Sequence, residues 1–226
     1  MKPTPKLNVS KVFRRTHDPI WQLQFGVIVI MALQFLTGDA FLPYNKFIII
    51  GFEAVLLVAL AIVTSEGYNR VSRARRLLAL ALIGIVATIN IFSLILLVDA
   101  LTFQQTSSTD GHTLLLSGFT IYVTNIFMFA LLYWEIDGGG PDKRVTEEKE
   151  RDFVFPQMIH PNISGPMWLP GFTDYLYLST TNVTNFASAD TIPISHKAKL
   201  LMMVQALVSV VTVVLVATRA IGILDS

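Results

Sequence analysis

Five long apolar stretches constrain this chain more than any other feature of its sequence. They are Ile20–Gly38, Phe47–Thr64, Leu77–Val98, Leu114–Trp134 and Leu200–Ile221. An α-helix needs about 20 apolar residues to cross the hydrocarbon core of a bilayer, and each stretch is close to that length. The last four contain almost no charge, whereas three glutamines interrupt the first. The pattern predicts an all-α integral membrane protein with five transmembrane helices.

The composition excludes several classes of protein. Hydrophobic residues make up 53% of the 226 residues and charged residues only 15%, whereas an ordinary globular domain carries roughly 25% charge. A soluble enzyme is therefore excluded, and the net charge of +1 gives no reason to expect nucleic-acid binding. The chain has no cysteine, and its four histidines are scattered without ligand spacing. We expect no catalytic residues, no metal site and no cofactor.

The basic residues of the loops predict how the chain lies in a cell membrane. Nine of them stand before the first helix and between helices two and three, and the alternate short loops hold one, Lys46. The nine are Lys2, Lys6, Lys11, Arg14, Arg15, Arg70, Arg73, Arg75 and Arg76. Because basic residues in short loops stay in the cytoplasm, the N-terminus is expected inside and the C-terminus outside.

The charge and glycine pattern divides the chain into four regions. A basic cytoplasmic N-terminus (1–19) precedes a four-helix transmembrane region (20–134), a cytoplasmic loop (135–171) and a final region (172–226). The loop begins with a run of three glycines and a proline, Gly138 to Pro141, which is expected to end the fourth helix. The mixed-charge run 142–152 is expected to be a solvated surface. Tyr133 and Trp134 are interpreted as interface anchors.

The segment from Phe172 to Pro193 is semi-polar and stands directly before the last apolar stretch. Residues 174–184 are expected to form a helix, which at 1.5 Å per residue spans about 16 Å. That is about half of a bilayer, so the sequence predicts a re-entrant half-helix before the fifth transmembrane helix.

This segment resembles the pore region of the two-transmembrane potassium-channel superfamily. The matching residues are Phe172, Asp174, Leu176, Tyr177, Ser179, Thr181, Thr184, Asp190 and Pro193. The resemblance implies a channel-like homo-oligomer, a tetramer in the bilayer, that conducts monovalent cations. It also implies an ion pathway formed by Thr181, Thr184, Asn185, Phe186, Ala187, Ser188, Ala189 and Asp190. The chain further resembles a group of uncharacterised bacterial multi-pass membrane proteins.

Two departures from that family change the expected function. Both glycines of the family's filter are alanines here, Ala187 and Ala189. An L-residue in a left-handed conformation costs about 1–2 kcal/mol, so the usual potassium filter is not expected, and we expect a weakly selective cation pathway. In addition, the family's pore loop opens to the outside, whereas the basic residues place this one inside. The alternative is a non-conducting scaffold or accessory subunit that retains a degenerate pore fold.

Glu53 is the one carboxylate well inside an apolar stretch. Ionisable groups at membrane depth are rare and indicate a functional site by default. The sequence offers Asn90 and Gln205 as partners, and leaves open whether Glu53 is a functional acid or a protonated group hydrogen-bonded between helices. Gln34, Asn90, Asn125 and Gln205 are interpreted as residues that form hydrogen bonds between helices.

Overall fold

The computed structural model describes residues 21–65, 73–102, 111–146, 150–160, 168–185 and 190–224. Within these ranges the chain is mostly helical. The helices are α1 (Trp21–Leu36), α2 (Lys46–Ser65), α3 (Arg73–Thr102), α4 (Gly111–Ile136), α5 (Pro141–Thr146), α6 (Pro156–Ile159), α7 (Phe172–Thr184) and α8 (His196–Leu224). Two short strands, β1 (Phe153–Val154) and β2 (Ile192–Pro193), pair antiparallel.

Within the described ranges, four helices are long and apolar enough to cross a membrane. Their apolar spans are Lys46–Val63 in α2, Ala74–Thr102 in α3, Gly111–Gly139 across the end of α4, and His196–Thr218 in α8. These helices are compatible with a multi-pass membrane protein. The first predicted stretch corresponds to α1, which is apolar but has only 16 residues in the part of the chain described.

Helix α4 is the centre of the molecule. It packs against α1, α3, α7 and α8, while α2 packs against α1 and α3. Burial follows this arrangement, because 61% of the α4 span is buried against 17% of the α2 span. The outer helices expose large apolar side chains such as Phe47 and Val55 on α2 and Leu207 on α8. Such side chains are suited to contact with lipid.

Helix α7 lies against the second half of α4 and begins at the end of the bundle where α4 finishes. We call this the Asp137 end. At its start the ring of Phe172 packs edge-on against Trp134, and further along the Ser179 hydroxyl donates to the carbonyl of Ile126 at 2.7 Å. After α7 the chain returns to the Asp137 end, because β2 pairs with β1 in the register Phe153↔Pro193.

Two sequence-based expectations about this end are wrong. Tyr133 and Trp134 are not interface anchors, because both side chains are fully buried in the core between α4 and its neighbours. The mixed-charge run is not solvated throughout, because Arg144 and Asp152 are buried. Both errors have one cause: the chain after α4 folds back over the end of the helix and covers it.

Candidate functional site

The start of α7 is set by a local hydrogen-bond pattern. The amide N–H of Gly171 donates to Oδ2 of Asp174 at 2.8 Å, and the Asp174 N–H donates to the Gly171 carbonyl at 3.0 Å. This reciprocal arrangement satisfies N–H groups that a helix N-terminus otherwise leaves unpaired. The helix therefore begins at Phe172, two residues before the predicted start. Burial raises the pKa of the Asp174 carboxyl, and the Gly171 N–H opposes that shift.

A charged cluster holds α7 at the Asp137 end. We call Asp137, Arg144, Arg151, Asp152 and Tyr175 the Asp137 cluster. Oδ1 of Asp137 accepts the N–H groups of Asp152 and Phe153 at 2.7 and 3.1 Å, and Oδ2 accepts the Tyr175 hydroxyl at 2.6 Å. The guanidinium of Arg144 lies over the Tyr175 ring at 5.1 Å, and Nη1 of Arg151 is 3.6 Å from Oδ2 of Asp137. Burial raises the pKa of Tyr175 well above its ordinary value, so its hydroxyl stays a donor. The Asp137 carboxylate thus joins three parts of the chain: the end of α4, the start of β1 with the residue before it, and α7.

The three consecutive glycines make this cluster possible. Gly138, Gly139 and Gly140 have φ values of 58°, 87° and 103°, which L side chains rarely adopt. A Cβ on Gly140 would lie 3.2 Å from both the carbonyl oxygen and Oε2 of Glu135. The turn brings Glu135, whose Oε1 lies 3.1 Å from Nη1 of Arg75 on α3, beside the Asp137 cluster. The glycines fix a defined turn as well as ending the helix.

A second polar cluster holds the middle of α7. Nε2 of Gln205 on α8 donates to the Ser179 hydroxyl at 2.6 Å. Oε1 of Gln205 accepts from the Tyr133 hydroxyl at 2.6 Å and from the Asn182 amide at 2.8 Å. Ser179 and Gln205 are 0% exposed. We call Tyr133, Ser179, Asn182 and Gln205 the Gln205 cluster; each of its four side chains forms a hydrogen bond with another member.

The contact between α4 and α8 continues beyond this cluster. The amide of Asn125 donates to the Ser209 hydroxyl at 2.8 Å. Further along, Gly118 approaches Val216 so closely that a Cβ on the glycine would clash with that side chain. The interpretation of Asn125 and Gln205 as hydrogen-bonding residues between helices is confirmed.

The predicted ion-pathway residues that the structure describes differ in their burial. Thr181 is buried and donates to the carbonyls of Tyr177 and Leu178. Thr184 and Asn185, by contrast, are exposed at the end of α7, and Asp190 is exposed 3.4 Å from the Tyr177 hydroxyl. Phe186, Ala187, Ser188 and Ala189 lie outside the described residues.

Glu53 has a different partner from those expected. Its Oε1 accepts from Nε2 of Gln34 on α1 at 3.0 Å, and its side chain is fully buried. The expectation of Gln205 as a partner is wrong, because Gln205 belongs to the contact of α8 with α4 and α7. Asn90 forms no hydrogen bond with Glu53 among the described residues; it lines a small cavity together with Gln34.

Sequence reasoning did not identify the residues of the Asp137 cluster. An aspartate directly before three glycines and a second one at Asp152 were a usable signal, because a turn of positive φ aims backbone groups at a nearby acceptor. Over the ranges described, no group of three His, Asp or Glu residues is placed to hold a metal ion.

No family model, no curated protein and no solved structure matches this chain.

Proposed function

We propose that this chain is a channel-like integral membrane protein with five transmembrane helices and a re-entrant pore loop formed by residues 172–193. In this proposal α1 crosses the membrane in addition to the four longer helices, and the Asp137 end faces the cytoplasm. Copies of the chain assemble, as a tetramer, around a weakly selective pathway for monovalent cations.

One observation carries the proposal: the free end of α7 presents polar side chains that nothing in the described chain covers. Thr184 and Asn185 are exposed. They follow Ser179, which contacts Ile126, eight residues or about 12 Å along α4 from Trp134. Irregular backbone at such depth is tolerated only where protein buries it or where it lines a water-filled cavity. These side chains would therefore contact either a second copy of the chain or a water-filled path.

The rest of the proposal follows from geometry and charge. A single pore loop cannot enclose a path, so conduction requires several copies around an axis. In a symmetric oligomer the exposed Asp190 would form a ring of carboxylates, and such rings concentrate cations. The buried contacts of Ser179 and Asn182 would keep the loop in a fixed position while its polar end faces the axis.

A non-conducting scaffold or accessory subunit is the second candidate. The observation that favours it is the pair of alanines at the filter positions, Ala187 and Ala189. Their Cβ atoms restrict the left-handed conformations that a cage of carbonyl oxygens requires. Such a chain would keep the fold and the oligomer without an open path.

Recordings from purified protein in planar bilayers separate the two candidates. We expect a conductance that favours cations over anions and separates potassium from sodium poorly. Asp190→Asn should weaken the cation preference, measured as a shift of the reversal potential in a salt gradient. Asp39→Asn is a matched control, because Asp39 is also exposed but lies in the turn after α1 and pairs with Lys46 at 3.0 Å.

Three results would contradict the channel proposal. A strict monomer in detergent would exclude a pathway between copies. Electrical silence of confirmed oligomers would favour the scaffold. Sharp potassium selectivity would show that the two alanines leave a working filter.

A further inference from the structure

A second polar site lies between α1 and α2, away from α7. Glu53 is 0% exposed, Gln34 is 4% exposed, and a single hydrogen bond of 3.0 Å between Nε2 of Gln34 and Oε1 of Glu53 joins them. The other oxygen of each side chain, Oε2 of Glu53 and Oε1 of Gln34, is buried without a hydrogen-bond partner in the described chain. Buried polar atoms are nearly always paired, so two unpaired oxygens on two bonded side chains require an explanation.

A proton supplies that explanation. An ionised carboxylate only accepts hydrogen bonds, so it would leave Oε2 of Glu53 and Oε1 of Gln34 unpaired. A protonated one has an O–H donor. With the proton on Oε2, Glu53 can donate to Oε1 of Gln34 while Gln34 donates to Oε1 of Glu53. The two side chains then form a closed pair with two hydrogen bonds.

The charges around Glu53 also favour the protonated form. Helix α1 has no ionisable residue over Trp21–Leu36. On α3 the ionisable residues are Arg73, Arg75 and Arg76 in the first turn and Asp99 near the end. On α4 they are His112 and Glu135 near the ends and the tyrosines 122 and 133. Lys46 on α2 itself pairs with Asp39. Among the described residues, therefore, no cation is placed to offset a Glu53 carboxylate, and burying such a charge without a partner is strongly unfavourable.

A small cavity gives the pair a polar neighbour. It has a volume of about 10 Å³, and its polar lining consists of Gln34, Thr37, Asn90, Ser93 and Thr124. Nδ2 of Asn90 is buried there without a hydrogen-bond partner among the described residues. The cavity has room for about one water molecule, and an oxygen acceptor in it would satisfy Asn90. It is too small for a cation with several oxygen ligands, but a water there would lie beside Gln34.

We propose that Glu53 and Gln34 form a proton-binding site within the membrane, with the polar Asn90 cavity beside Gln34. Glu53 holds one proton at neutral pH, and loss of that proton removes one of the two hydrogen bonds that join α1 to α2, the one that Glu53 donates to Gln34. The site is independent of the pore loop and does not require the chain to conduct.

Infrared difference spectroscopy of the purified full chain tests this site. The spectrum of the unmodified protein minus that of Glu53→Gln should show the carbonyl band of a protonated carboxylic acid at neutral pH, and the band should shift in heavy water. Glutamine keeps one donor and one acceptor for Gln34, so this variant should fold. A carboxylate band in the difference spectrum, without the protonated one, would overturn the proposal.

A second variant keeps the test valid if Glu53→Gln fails to fold. In Gln34→Leu the acid loses its partner, so its carbonyl band should move to the frequency of a free acid; an unchanged band would exclude the pair.

Thermal unfolding gives an independent readout. An ordinary glutamate ionises near about pH 4.3 in the unfolded chain, so the unmodified protein should lose stability from about pH 5 upward until the folded protein also releases the proton, more steeply than Glu53→Gln. Parallel pH profiles for the two proteins would contradict the proposal. A rise in the unfolding midpoint when sodium replaces choline at constant ionic strength would also overturn it, in favour of a metal-cation site.

Discussion

At the residue scale, Gly140 shows how strongly one backbone position constrains this fold. Its φ of 103° lies in a region that is almost restricted to glycine. The neighbours of a Cβ at that position would be a backbone carbonyl and a carboxylate of Glu135, which is itself fully buried. Neither neighbour moves easily, so the position does not tolerate a side chain.

We therefore expect Gly140→Ala to lower the free energy of unfolding by about 1–3 kcal/mol. The matched control is Gly51→Ala, because Gly51 lies within α2 and a Cβ there would meet nothing within 4 Å. Alanine in a helix interior is favoured over glycine by about 1 kcal/mol, so the control should be neutral or stabilising. Thermal unfolding in detergent measures both. Equal losses in the two variants would contradict this reading of the turn.

At the element scale, α7 depends on hydrogen bonds to its neighbours, α4 and α8. It has 13 residues, and a helix of that length is marginal on its own. The Gln205 cluster joins α7 to both neighbours, and Tyr175 joins it to Asp137. The position of this helix is therefore a property of the assembled bundle.

Replacing the side chain at the centre of that cluster should loosen α7. Gln205→Leu leaves the Tyr133 hydroxyl without its acceptor, whereas Ser179 and Asn182 each lose one bond and keep another, to the carbonyls of Ile126 and Met202. A buried group left unsatisfied costs roughly 1–3 kcal/mol in water-soluble proteins and less in membranes. We expect a total loss of about 1–3 kcal/mol on the same basis. Leu207→Ala, at a 65% exposed position on the same helix, should change little.

A double-mutant cycle identifies the contact responsible. Because Ser179 and Gln205 bond directly, Ser179→Ala and Gln205→Leu should couple by about 0.5 kcal/mol or more in unfolding measurements. Additive effects would show that the hydrogen bond between them contributes nothing.

Close packing of α4 on α8 gives another prediction. Gly118→Ala should destabilise the protein, because its Cβ would clash with Val216. Adding Val216→Ala should restore most of the lost stability, since it removes the clashing atoms. Gly84→Ala is the control, as nothing lies within 4 Å of a Cβ there. Failure of the second substitution to rescue the first would place the cause elsewhere. Unfolding midpoints of the four proteins decide the matter.

The sequence was sufficient for the helices and insufficient for their partners. Four long apolar stretches and the short α7 could be predicted because the length and polarity of a segment are read from consecutive residues. The partner of Glu53 and the burial of Tyr133 could not, because they depend on which helix faces come together. Gln34 was recognised as a residue that bonds between helices, yet nothing in its own sequence context indicates Glu53.

At the scale of the whole molecule, the orientation in the membrane remains a prediction, based on the basic residues of the short loops. Reporter fusions at Lys149 and at Ser226 should give opposite signals, cytoplasmic and exported. An exported signal at Lys149 would reverse the topology and bring the proposed pore loop to the outside. Fusions after Ser65 and after Thr102, in the two loops that flank α3, provide internal controls, because they should also differ from each other.

The Gln205 cluster has a consequence for how the chain is made. Asn182 is synthesised before Met202 and Gln205, whose oxygens accept from its amide. Lys197, whose Nζ lies 3.0 Å from Oδ1 of Asp152, also comes late in the chain. While the chain emerges from the ribosome, the Asn182 amide of α7 lacks these partners until Gln205, in the first third of α8, has followed. Integration of α8 is therefore the step that completes the docking of α7. A nascent chain arrested before Gln205 should leave α7 open to protease, and one arrested after the whole of α8 has left the ribosome should protect it.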